Sequence, residues 1–238
     1  MDDLKELKSK VEKLDKAENK EEIVKILQEI ATELITDYEI QVKGIKIEPL
    51  WVEAYYYNPE KFADCNVHMD EKQKNHFNQI YFHKKGYGGF DICLSDSPKY
   101  YFTFLIKAAL INGEFTTQTG IYDILDVLGI NTCDLENEIN ILKQTPRKAY
   151  SIMYAQRVGL TKFCYQNEPL AAFPIEVLSK KEYNFKFARK SLQTTVKQIM
   201  EQFMLDNPNA TKEECKVKCR EIFGWLPDSA RSLIEELR

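Results

Sequence analysis

Glu53 occurs with Trp51, Tyr55 and Tyr57 at steps of two, the spacing that puts four side chains on one face of a β-strand. A carboxylate among rings is partly desolvated, which raises its pKa and suits it to general acid or base work. The same spacing also describes an edge strand with Glu53 turned to water and the rings packed beneath it. A second group is Cys65, His68, His76 and His83. Its Cys-x-x-His step permits zinc, and the alternative is three surface histidines beside a buried thiol. A third is the glycine-rich stretch Lys84-Lys85-Gly86-Tyr87-Gly88-Gly89, set in a window where Lys72, Lys74, Lys84, Lys85, Lys99 and Lys107 outnumber Asp91 and Asp96. Such a window can meet phosphate or simply solvate a hairpin edge.

The elements that must position these residues are legible as changes of period. Residues 2–39 carry apolar steps of three and four, Leu4, Leu7, Val11 and Leu14, then Ile23, Ile26, Leu27, Ile30, Leu34 and Ile35. They read as two amphipathic helices, the second starting near Asn19 or Lys20. From Val42 to about Ile111 the period shortens to two. The strand holding Glu53 ends at Asn58-Pro59, and runs at 80–83 and 90–94 bracket the glycine-rich turn as a hairpin. A third strand follows from Tyr100. Strands so close in sequence favour antiparallel pairing. Further on, 121–128 and 134–142 read as short helices, Arg157-Val158-Gly159-Leu160 as strand or loop, and the chain from Phe185 as helical again. The expected fold class is α+β: a largely antiparallel core over 41–182 with helical extensions at 1–40 and 183–238.

Composition narrows the function. The chain has 238 residues, enough for a substantial core, and a net charge of −4, which argues against a broadly basic nucleic-acid binder. Charge is uneven: residues 1–40 hold seven Lys/Arg against twelve Asp/Glu, whereas 183–238 hold ten against eight. The acidic helices are therefore expected to cover a flank of the core or meet a protein partner. The six cysteines show no paired zinc-ribbon spacing, and no run approaches the roughly 18 apolar residues that cross a bilayer. These features imply free thiols, a cytoplasmic location and no membrane. Cys215 and Cys219, four apart, are expected on the packed side of a helix.

Taken in order, Glu53-Ala54-Tyr55, Pro59, His68, Lys74-Asn75, Tyr87-Gly88, Phe90, Leu105-Ile106-Lys107-Ala108, Arg157-Val158-Gly159-Leu160 and Pro169-Leu170 resemble the motifs of the alkyladenine (3-methyladenine) DNA glycosylase family. The match spans roughly 41–182. The resemblance implies an enzyme that flips a damaged purine out of double-stranded DNA and hydrolyses its N-glycosidic bond without metal or organic cofactor. Glu53 would activate water, and Tyr55, His68 and Cys93 would line the base pocket. Tyr87 would be the wedge that fills the vacated gap, with Lys74, Lys84, Lys85, Lys107 and Arg157 meeting phosphate.

Departures from the family pattern accompany the match. Trp51-Val52 stands where Glu-Thr usually precedes the acid, and the loop from Pro59 to His68 is longer than usual, so His76 and His83 compete for the histidine role. Cys93 occupies the position of an asparagine, and Ala171 that of an arginine. A relative without catalysis, serving as an interaction or DNA-binding module, is the other reading these departures allow.

Overall fold

The computed structural model describes residues 4–83, 89–157, 160, 164–165, 167–174, 189–223 and 226–236, without the side chains of 189–195 and 223. The fold is mixed α+β around a curled antiparallel sheet. Two helices open it, α1 (Lys5–Lys16) and α2 (Lys20–Thr36). Asn19 caps α2 by accepting a hydrogen bond from the Glu22 backbone N–H, which satisfies one of the donors a helix start leaves open. The helical pattern read to residue 39 stops at Thr36. Beyond the Asp37 cap, Tyr38, Ile40 and Val42 alternate inward, and Tyr38–Val42 pairs as strand β1.

The sheet is organised on two long strands, β2 (Ile45–Asn58) and β6 (Tyr101–Ile111), which pair along nearly their whole length. Their register shifts at Trp51, a bulge that lets the pair bend. Short strands flank the two halves: β3 (Phe62–Ala63) on β2, then β4 (Gln79–Phe82) and β5 (Phe90–Cys93) beside β6, then β7 (Glu114–Thr117). The β6–β7 hairpin turns at Asn112 and Gly113, with φ of 50° and 87°, a backbone that Asn and Gly adopt at low cost. Two short helices follow, α3 (Gly120–Val127) and α4 (Thr132–Glu136). The helix expected over 134–142 is thus shorter, and Leu142–Gln144 forms β8 against β1. The end strands come together where the Asn78 side chain accepts from the Leu142 N–H at 2.7 Å, curling the sheet. Strands β9 (Ile152–Ala155) and β10 (Ala171–Pro174) add to β2 beside Glu53.

Alternation assigns each face of this sheet a partner. Val52, Ala54, Tyr56, Ile92, Phe102, Phe104 and Ile106 point to one side, where they form a single buried core with Leu7, Val11 and Leu14 of α1 and Ile23, Leu27, Ile30 and Leu34 of α2. The N-terminal helices are therefore part of the core, and only their acidic outer face is available to a partner. At one end of the other side, α5 (Arg189–Asp206), α6 (Lys212–Phe223) and α7 (Asp228–Glu235) pack on Leu50, Trp51, Ala108 and Phe173. Cys215 and Cys219 are buried there, as their spacing implies. No helix among the described residues is long and apolar enough to cross a membrane.

Candidate active site

The sheet face opposite the α1–α2 core carries polar side chains that water does not reach. Cross-strand register builds it as two rows. Ala171, Glu53, Leu105, Asp91 and Tyr81 stand side by side on β10, β2, β6, β5 and β4; in the next row Tyr55, Thr103, Cys93 and Gln79 do the same. A buried polar group is costly unless it is paired, so the partners of each decide what the face can do.

Glu53 is 0 % exposed. The Tyr55 hydroxyl donates to its Oε2 at 3.1 Å, and the Lys107 ammonium lies 3.8 Å from the same oxygen. The rings expected around the acid are thus present as Tyr55, but its immediate neighbours are a phenol and a cation. Burial, followed by the charge of Glu53, pushes the Tyr55 hydroxyl well above its ordinary range and keeps it a donor. Behind the Tyr55 ring, 4.6 Å from its centroid, sits the guanidinium carbon of Arg157.

Arg157 is inside the protein. Its Nη1 donates to Asp64 Oδ2 at 2.5 Å and to the Ala54 carbonyl at 3.0 Å, and both ends of this ion pair are buried. This corrects the expectation that Arg157 meets phosphate; its charge is committed to Asp64 and to propping Tyr55. The arginine is positioned because Gln156 before it is clasped by Gln198 of α5 through two hydrogen bonds.

Asp91 anchors the other end of the face. It accepts from the Thr103 hydroxyl at 2.7 Å and from the Gln73 amide at 3.2 Å, and His83 Nε2 lies 2.6 Å from its second oxygen. Burial alone would lower the His83 pKa, but the charge of Asp91 and its hydrogen bond outweigh burial and raise it. The rings of His68 and Tyr81 pack on that of His83, with centroids 4.8 and 5.5 Å away. His68 is exposed. Cys93 donates its thiol to the Lys72 carbonyl at 3.3 Å, and burial holds that thiol well above its usual pKa, so it lines the face as a weak donor and does not act as a nucleophile.

The loop carrying His68 is pinned by a disulfide between Cys65 and Cys164, 99 residues apart. This corrects the expectation of free thiols at those two positions and removes Cys65 from any metal set. His76 is also elsewhere, its Nδ1 bonded to the Lys74 carbonyl. Among the described residues no group of three or more His, Cys, Asp or Glu side chains could hold a metal ion.

The lysine window resolves into local pairs. Lys72 meets Glu136, Lys74 lies 4.2 Å over the Tyr101 ring and near Glu71, Lys99 is 3.5 Å from Asp15, and Lys107 serves Glu53. Lys84, Lys85 and Tyr87 lie outside the described residues. Sequence reasoning grouped Glu53, Tyr55, His68 and Cys93 but assigned Lys107 to phosphate, not to Glu53, and missed Asp64, Asp91 and Gln73. The alternation Phe90-Asp91-Ile92-Cys93 was the available signal for Asp91, since it puts the acid opposite the apolar side. No family model matches the chain, and no curated protein matches it either.

Proposed function

We propose that this protein is a DNA base-excision glycosylase of the alkyladenine type, which hydrolyses the N-glycosidic bond of a damaged purine flipped out of the duplex. The observation that carries the reading is the pairing of Glu53, whose carboxylate accepts from the Tyr55 hydroxyl and lies 3.8 Å from the Lys107 ammonium. Such an acid has one orientation, and its charge is strong where solvent does not screen it. In the reaction Glu53 takes a proton from a water as its oxygen attacks the anomeric carbon. The negative charge then stabilises the oxocarbenium-like transition state, as carboxylates do in glycoside hydrolysis.

The residues around the acid take complementary roles. Tyr55, backed by the Arg157 cation, stacks on the extruded base from one side, and His68 forms a second wall. Cys93 replaces an amide in the pocket floor with a weaker donor and so alters the choice of base. Lys74, Lys84 and Lys85 supply positive charge toward phosphate, and Tyr87 in the β4–β5 connection fills the gap in the stack.

Two observations favour a second reading, a glycosylase-like module that binds DNA or protein without catalysis. Glu53 has no exposed surface, and acids neutralise Lys72 and Lys99. Release of free base from duplexes carrying hypoxanthine, ethenoadenine or methylated purines separates the readings. Release supports the enzyme; salt-sensitive duplex binding with no release supports the module.

A further inference from the structure

Hydrolysis of a neutral N-glycoside needs more than an activated water. The departing base takes the electron pair of the broken bond, and an unprotonated purine is a poor leaving group. A glycosidic site therefore gains from an acid on the side opposite the base catalyst, and paired carboxyl groups roughly 6.5–9.5 Å apart serve that purpose in inverting enzymes. The row Glu53–Leu105–Asp91 has one residue between its two acids. Adjacent strands are about 4.8 Å apart, so the two acids start about 10 Å from one another. Asp91 itself is engaged by Thr103, Gln73 and His83. The group it presents is His83.

We infer that His83, oriented by the buried Asp91, is the general acid that protonates the departing base, an assignment that rests on the reading of Glu53 given above. Its Nε2 is engaged by Asp91 at 2.6 Å, so the proton delivered is the one on Nδ1. The C1′–N bond breaks and its electron pair leaves with the base. The water oxygen bonds to C1′, one water proton passes to Glu53, and the Nδ1 proton of His83 goes to the nitrogen of the base. Exchange with solvent resets both groups.

The surroundings of His83 fit the role. Its side chain is 10 % exposed, and its ring packs against that of His68, which is exposed. Among the described residues the groups facing it are Asp91, His68, Tyr81 and, from β6, Lys107, whose charge opposes protonation of His83 while pairing with Glu53. From α3, the Tyr122 hydroxyl donates to the His83 carbonyl at 2.8 Å and fixes the backbone. Lys107 thus links the two catalytic groups, pairing with one while its charge opposes protonation of the other.

The test compares single-turnover release of a neutral base, hypoxanthine, with release of a cationic one, 7-methylguanine, which departs without needing a proton. His83→Asn is expected to lose neutral-base release by about 10²–10⁴-fold more than cationic-base release, and to lose the alkaline limb of the neutral-base pH profile. Equal losses for both bases, or none, overturn the assignment alone. Release of neither base by the parent overturns the glycosidic reading and this assignment with it. In parallel, NMR titration of the His83 imidazole in the parent and in Asp91→Asn reports the dyad without activity. A fall in its pKa on losing the Asp91 charge supports the positioning role, and an unchanged titration contradicts it.

Discussion

The Lys107 ammonium lies 3.8 Å from the carboxylate of Glu53, a side chain with no exposed surface. An ion taken out of water needs a counter-charge and hydrogen bonds to remain there. The predicted consequence is that Lys107→Met destabilises the fold by roughly 3 kcal/mol, the scale expected when one partner of a buried pair is removed. Urea unfolding measures it. Adding Glu53→Gln should restore most of the loss, because the pair, not the lysine alone, is at stake; strictly additive losses would contradict the coupling.

Arg157 and Asp64 make the same argument deeper in the protein, with both side chains buried and 2.5 Å apart. Arg157→Met is predicted to cost on the order of 3–5 kcal/mol by stranding Asp64. It should leave the salt dependence of duplex binding unchanged. A drop of about 0.9 in the slope of log K against log salt would mean that Arg157 meets a phosphate after all.

The Cys65–Cys164 bridge closes a loop of 99 residues, which removes much freedom from the unfolded chain. Its reduction, or the Cys65→Ser, Cys164→Ser double variant, is predicted to lower stability by about 2–5 kcal/mol. Unfolding midpoints with and without a reducing agent check this. Because the bridge also anchors the loop leading to His68, the double variant should weaken base binding more than it slows the chemical step.

His83 has a folded-state pKa above its ordinary value, the charge and hydrogen bond of Asp91 overcoming the effect of burial. A raised pKa means that the folded state binds the proton more tightly than the unfolded chain. The stability this contributes is therefore fully present below the unfolded value near 6.5 and is lost as pH rises through the folded value. His83→Gln should reduce stability more at pH 5.5 than at pH 9, measured by denaturant unfolding at each pH. A larger penalty at pH 9 would reverse the sign and refute the account of the dyad.

Local period made the scaffold of this site readable and left its charge pairs hidden. The steps of two in β2 put Glu53 and Tyr55 on one face, because side-chain alternation needs no knowledge of neighbours, whereas the cross-strand register that sets Thr103, Lys107 and Cys93 beside them does not follow from local period. The α1–α2 helices were legible from their own apolar steps of three and four. Asp64 and Arg157 are 93 residues apart, and Cys65 and Cys164 99; only the topology that brings β9 and β10 beside β2 joins them. Strand β1 was hidden inside a helical pattern because Asp37 alone separates it from α2, and β8 because its pairing with β1 is long-range. Asp91 looked like a minority acid in a basic window. Its partners come from three separate elements of the fold.

The central claim is that Glu53 activates the water that cleaves a damaged nucleotide. Single-turnover release of free base from hypoxanthine, ethenoadenine and methylated-purine duplexes, by the parent and by Glu53→Gln, tests it most directly when duplex affinity is measured alongside. The account predicts release by the parent, a loss of at least about 10³-fold in the variant, and nearly equal affinity of the two for the duplex. Equal release by parent and Glu53→Gln would contradict the mechanism.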